Sequence, residues 1–461
     1  MRKYLAIVLS VIFILSFAVT AFAIHETGEP AISKGAQIIL GGKILVRGWY
    51  FDNVNSSALP VSTQSQALYS TNANIMIDAN VSDNVRGFME LETSSGGNGN
   101  SGLYYWGATP YASDTKPAAD LFFRQLWIQY TGSGLLGAPA GIKAGHMPIT
   151  LGEKQFLCNE RFGDDAILLW VDPTKEVHLV LGTTKLTEGT TALGSIVHSD
   201  DLDGYVLIAT YMVNKDNTIG LNYTLVHSDG INLGSGAVDK LNFDNLGLHA
   251  NGKVSGLTYA AEVDFQFGKV DSLTDTKFGG YGIFAKLGYM LDPVNLRGSF
   301  AMGSGDNDAD NKNKEFQTLQ GNPDIGATAR LVHYTQIYER TIRTAANAQT
   351  LTNNTNTRNT GIANTTYYNL GLDVNPTKEI SLSLDGFIIR ATKAWQADQS
   401  KSVGSEVDFK GTYKIAKNLS YFVEAGVFTP GKFYTTGAAP VNQGADKKTV
   451  TQAVHGLLLT F

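Results

Sequence analysis

Cysteine is nearly absent: the 461 residues hold one, Cys158. A single thiol cannot close an internal disulfide, so a small disulfide-stapled fold is excluded, and this thiol is read as a buried or loop residue rather than a nucleophile. A basic excess is also lacking. The chain carries 36 Lys and Arg against 42 Asp and Glu, which argues against nucleic acid as a partner. After residue 23 no apolar run approaches the roughly 20 residues of a spanning helix. From about residue 35 onward helical periodicity is missing as well. A membrane form of this chain has to cross with strands. Glycine and aromatics, by contrast, are plentiful: 49 Gly, 22 Phe and 20 Tyr, with only 12 Pro.

Residues 1–23 read MRKYLAIVLSVIFILSFAVTAFA. Arg2 and Lys3 form a basic start, Leu5 to Val19 an apolar core, and Ala21-Phe22-Ala23 a small-residue cleavage site. This is the pattern of a secretory signal peptide. No cysteine follows the cleavage point to take a lipid. Removal of the segment takes the formal charge from −6 to −8.

The rest of the chain alternates with period 2. In LTYAAEVDFQFG at 257–268, Leu257, Tyr259, Ala261, Val263, Phe265 and Phe267 share one face, and Glu262, Asp264 and Gln266 share the other. VDFKGTYKI at 407–415 and ISLSLDGFI at 380–388 repeat the pattern. About 18 such segments can be read. The connections after even-numbered strands are tight and rich in Asn, Asp, Pro and Lys, such as VSDN at 81–84, DPTK at 172–175 and NPTK at 375–378. Those after odd-numbered strands are longer. A Greek-key sandwich has no reason to sort its connections in this way. An up-and-down transmembrane barrel has short periplasmic turns and long extracellular loops. The expected fold is therefore an all-β antiparallel barrel of about 18 strands over 35–461, with residues 24–34 as a short periplasmic segment and 304–365 as the longest extracellular loop.

In lipid an open sheet edge leaves unpaired N–H and C=O groups, each costing several kcal/mol, so the last strand must pair with the first. The chain ends TVTQAVHGLLLTF. Phe461 is expected to close the barrel in an interfacial aromatic girdle. A terminal strand ending in Phe resembles the signal read by the barrel-assembly machinery of Gram-negative bacteria, and Phe461 is the candidate assembly signal.

Two stretches carry a family resemblance: FFRQLWIQYTGSGLLGAPAGIKAGHMPITLGEKQFL at 122–157 and GSFAMGSGDNDADNKNKEFQTLQGNPDIGA at 298–327. Both resemble the alginate-export-type outer-membrane porins, which implies an 18-stranded barrel acting as a channel. The sequence departs from that pattern where AGHM replaces the expected Gly-Arg.

The alternation assigns Lys43, Arg47, Arg86, Lys143, Lys286, Arg297, Lys410 and Lys414 to the lumen as bases. It assigns Asp78, Glu90, Glu92, Glu262, Asp264, Asp373, Asp385, Glu406, Asp408 and Glu424 as acids. A polyanion channel should present one sign of charge. The near balance points instead to small hydrophilic solutes, with oligosaccharides as candidates because Trp49 and Trp127 lie near inward positions where rings can stack on sugars. Outer-membrane lipid and lipopolysaccharide would surround the wall. An adhesive barrel with a loop-filled lumen is the alternative.

No catalytic, cofactor or metal motif emerges. VHSD occurs at 197–200 and 226–229, but consecutive residues on an extended chain face opposite ways, so neither copy assembles a triad. GDNDADNKNKE at 305–315 spaces Asp306, Asp308 and Asp310 like the start of a Ca²⁺ loop, yet Asn311 and Gln317 stand where the Gly and bidentate Glu belong. Residues 343–366 are Asn/Thr-rich and are expected to form a mobile loop tip. Residues 329–342 and the expected loop 147–162 are the two candidates to narrow the pore.

Overall fold

A computed structural model describes residues 36–53, 65–94, 104–106, 120–134, 137–187, 201–231, 239–271, 276–307, 310–320, 334–339, 361–394, 398–436 and 448–461. The signal-peptide segment and the residues up to 35 lie outside these ranges. Among the described residues eighteen long strands follow one another: β1 Gln37–Asp52, β2 Gln66–Asn80, β3 Val85–Ser94, β4 Asp120–Ser133, β5 Pro139–Thr150, β6 Leu157–Val171, β7 Val177–Thr187, β8 Leu202–Asn214, β9 Asn217–Ile231, β10 Asp239–Val254, β11 Leu257–Asp271, β12 Tyr281–Leu291, β13 Val294–Gly303, β14 Thr365–Val374, β15 Ile380–Ala391, β16 Ser402–Ala416, β17 Leu419–Pro430 and β18 Val450–Thr460. Each pairs antiparallel with its neighbours in sequence.

The sheet closes on itself. β1 pairs antiparallel with β18 from Lys43 opposite Thr460 to Asp52 opposite Thr451. Phe461 continues the ladder: its N–H donates to the Gly42 carbonyl at 3.0 Å, and the Gly42 N–H donates to the Phe461 carbonyl at 2.9 Å. Every connection after an even-numbered strand is short, such as 215–216, 255–256, 292–293 and 417–418, and the long ones sit at the other end.

The two faces follow the pleat around the whole wall. Outward positions carry large exposed apolar side chains, among them Ile128, Phe265, Leu287, Leu370 and Ile388. In water such a belt would be an aggregation surface; in lipid it is the solvated face. Inward positions carry Asn72, Asn74, Glu90, Glu92, Asn222, Asn245, Glu262, Asp264, Glu406 and Asp408, all buried.

Residues 147–162 are not one loop, because β5 runs on to Thr150 and β6 begins at Leu157, leaving only 151–156 as the connection. That connection is folded into the barrel, with Leu151, Phe156 and Leu157 buried beside Met147 and Phe243; these apolar residues gain by leaving water. The end of the segment 343–366 is likewise no mobile tip. Ile362 and Ala363 are buried, and β14 starts at Thr365; residues 343–360 lie outside the described ranges.

Candidate functional site: the loop-filled barrel interior

The inward acids of β11 and β16 face loops rather than an open lumen. Glu262 of β11 accepts the backbone N–H of Glu153 in the 151–156 connection. Gly152 makes that approach feasible: its φ of +52° suits glycine, and a Cβ there would stand 2.7 Å from the Glu262 carboxylate. The Glu153 carboxylate in turn accepts from Asn251 Nδ2 at 2.7 Å. Farther up β11, the Gln266 amide brackets residue 317 of the long loop. Its Oε1 accepts the Gln317 N–H at 2.8 Å and its Nε2 donates to the Gln317 carbonyl at 2.7 Å. The Leu319 N–H then donates to the Phe156 carbonyl at 2.8 Å, so the two inward loops are hydrogen-bonded to each other.

Glu406 and Asp408 of β16 hold a third inward segment, residues 334–339. The N–H groups of Ile337 and Tyr338 donate to the two Glu406 oxygens at 2.6 and 2.8 Å, and the Gln336 N–H donates to Asp408 at 3.1 Å. Tyr334 stacks on Tyr367 of β14 with ring centroids 4.6 Å apart, and Tyr338 stacks on Phe428 of β17 at 5.8 Å. Ile337 is buried over Gly426. This segment lies within 329–342, the stretch read from sequence as a pore-narrowing candidate.

Charge along the wall is largely internally paired. Arg297 of β13 donates Nε to Asp373 at 2.9 Å, Nη1 to Asp385 at 2.5 Å and Nη2 to both Asp385 and Ser383 at 2.7 Å. Arg86 forms a two-point pair with Asp78 at 2.7 and 2.8 Å, a geometry that suits guanidinium to carboxylate. Arg124 reaches Glu90 at 3.0 Å and Glu92 at 3.7 Å, and Asn72 and Asn74 donate to the same two acids. Arg124 was missed in the sequence because strict alternation with Gln125 and Trp127 turns it outward. A register shift between Glu90 and Leu91 places an extra residue in β4 and brings it in.

The tryptophans do not offer bare faces to sugars. Trp127 is buried, stacked on Phe88 at 5.2 Å, with the Lys143 ammonium 3.8 Å from its ring centroid and Arg86 at 5.3 Å. Trp49 is buried against Phe51, with the Arg47 guanidinium 4.7 Å from its centroid. Cations already occupy these aromatic faces.

The remaining inward candidates stand on the half of the wall nearer the short turns. Lys43 opposes Asn74, Lys286 opposes Ser299, and Lys410 lies between Ser383 and Glu424 in the register. Lys286 is exposed. His227 and Ser228 point to opposite faces, His227 outward to Asn242 at 3.0 Å and Ser228 buried inward. The copy at 197–200 and Asp308 lie outside the described residues. Asp306 accepts the Lys314 N–H, and the Lys314 ammonium beside Asp310 holds its carboxyl below the usual range. The two acids serve their own loop. Among the described residues no three His, Cys, Asp or Glu side chains converge.

Residues 204–444, from β8 to beyond β17, match the family described as alginate export. The chain belongs to the alginate-export family. Solved structures share the family barrel's fold at low identity. OccK11 (OpdR) of Pseudomonas aeruginosa is 12% identical, with 93% of this chain and 96% of that one covered and a TM-score of 0.53. OccAB2 of Acinetobacter baumannii is 10% identical, with 94% and 99% covered and a TM-score of 0.52. The outer membrane protein OprD of Pseudomonas aeruginosa is 9% identical, with 92% and 94% covered and a TM-score of 0.51. No curated protein sequence matches the chain. Barrel closure, the exposed apolar belt and the family match place this alginate-export family member in the outer membrane as a multi-pass β-barrel.

Proposed function

We propose that this alginate-export family barrel is a passive channel for small hydrophilic solutes, oligosaccharides among them, with segment 334–339 and the 151–156 connection as its constriction. The observation that carries this is the tethering of both segments to inward carboxylates of the wall, Glu406 and Glu262. A barrel of this strand number encloses an aqueous lumen unless loops fill it, and passage is then governed by width and lining charge, with no chemical step. The pairing of Arg86, Arg124 and Arg297 with wall acids leaves no large one-sign field in the lumen, which favours uncharged cargo over a polyanion. Lipopolysaccharide around the wall and the barrel-assembly machinery at Phe461 are the proposed partners.

Purified protein in a planar bilayer should give stepwise openings, and uncharged sugar oligomers should interrupt the current. A wild-type protein that stays silent, together with a Glu406→Ala variant that also stays silent, would overturn the channel in favour of an adhesive barrel with a sealed lumen.

A further inference from the structure

Three neighbouring strands carry a patch of buried polar atoms that the inward loops satisfy only in part. Asn222 of β9, Gly247 of β10 and Asp264 of β11 lie on one rung of the ladder. Asn222 is 1% exposed, yet neither its Oδ1 nor its Nδ2 has a hydrogen-bond partner. Its amide and the Asp264 carboxylate converge over the bare Cα of Gly247: Asn222 Oδ1 and Asp264 Oδ1 stand 2.6 and 2.7 Å from the position a Cβ would take there. Asp264 Oδ2, Glu262 Oε1 and Thr224 Oγ1, on the same and adjoining rungs, are also buried without partners.

Glu262 and Asp264 are both 1% exposed, and among the described residues neither forms an ion pair. Two adjacent carboxylates out of water need compensation by a cation or by protonation. The other inward pair, Glu406 and Asp408, accepts three backbone N–H groups from segment 334–339. Here Glu262 accepts one backbone N–H and Asp264 one side-chain amide, and the two carboxyl groups otherwise meet each other.

We infer that Glu262, Asp264 and Asn222 form a divalent-cation site in the barrel wall. The donors are oxygens, which suit a hard ion, and Ca²⁺ tolerates the irregular geometry and added waters such a site requires better than Mg²⁺ does. Two carboxylates neutralise its charge. Because the Glu153 N–H donates to Glu262, the ion also stiffens the attachment of the 151–156 connection, which links cation binding to the width of the constriction.

The test is calorimetric titration of CaCl₂ into refolded, EDTA-treated barrel in detergent, with heat-modifiable gel mobility confirming that each variant is folded. One Ca²⁺ per chain is expected, with binding lost in Asp264→Asn and in Asn222→Ala. Binding should be kept in Glu406→Gln, which alters the carboxylate pair that holds segment 334–339, and in Asp306→Asn, which alters the acidic loop. Absence of binding to wild type at millimolar Ca²⁺ overturns the site and leaves water or a shared proton to fill the patch. Loss in Asp306→Asn with retention in folded Asp264→Asn overturns it in favour of the extracellular loop.

Discussion

Glu406 and Ile337 are 69 residues apart in the chain, and the carboxylate of the first accepts the backbone N–H of the second at 2.6 Å. The adjoining N–H of Tyr338 binds the other oxygen, so one wall residue holds the turn of a loop in the lumen. Hydrogen bonds to a charged acceptor contribute about 1.5–3 kcal/mol each. Glu406→Ala removes both while leaving the ladder of β16 intact. Segment 334–339 should detach, and single-channel recordings should show a larger and noisier conductance with little change in the barrel's melting temperature. An unchanged conductance would mean that this segment does not limit the pore.

Val263 and Glu262 test the two faces of β11. Val263→Arg places a charge against hydrocarbon near mid-strand and should cost roughly 2–4 kcal/mol. Glu262→Arg would be benign if its neighbour were water. Its neighbours are Gly152 and the Glu153 N–H, so the larger cation should expel the 151–156 connection. Refolding into lipid vesicles should show both variants destabilised. Only Glu262→Arg should also alter conductance, at the lower protein yield it permits. A harmless Val263→Arg would show that β11 does not meet lipid.

Closure of the barrel can be trapped. Val46 of β1 stands directly opposite Leu457 of β18. With Cys158 replaced by Ala, Val46→Cys and Leu457→Cys should be joined by a short bis-maleimide in the folded protein. The linked chain would be circularised and would migrate differently after denaturation. Failure of the link in protein that is otherwise heat-modifiable would mean that β1 and β18 are not neighbours.

The paired wall charges set the ion preference. Reversal potentials in a salt gradient should be small for wild type. Arg297→Ala leaves Asp373 and Asp385 without their shared guanidinium. Removing one partner of a fully buried pair costs about 3–5 kcal/mol, and this lumen-side group should cost less. The variant should shift clearly toward cations. A strong anion preference in wild type would contradict the balanced lumen and restore an acidic polysaccharide as cargo.

Much of this architecture is legible in the sequence. The strand count, the sorting of short and long connections, the faces of β11, β15 and β16, and the pairing demanded of Phe461 all follow from period-2 alternation and from the cost of unpaired backbone in lipid. These are local properties of a pleated strand, or conditions that hold for any closed sheet. The sequence by itself determined which side chains of a regular strand share a face, because successive residues of a pleated strand alternate. What those side chains meet was decided only by the tertiary structure. Arg124 turns in because a bulge adds one residue to β4, and alternation carries no mark of a bulge. Trp49 and Trp127 meet cations carried by their own and neighbouring strands. Glu262 and Glu406 meet the backbone of loops whose return path depends on Phe156, Phe316 and Ile337 joining one buried apolar cluster inside the barrel. Contacts between residues so distant in the chain depend on the three-dimensional filling of the lumen, and no periodicity along the sequence records it.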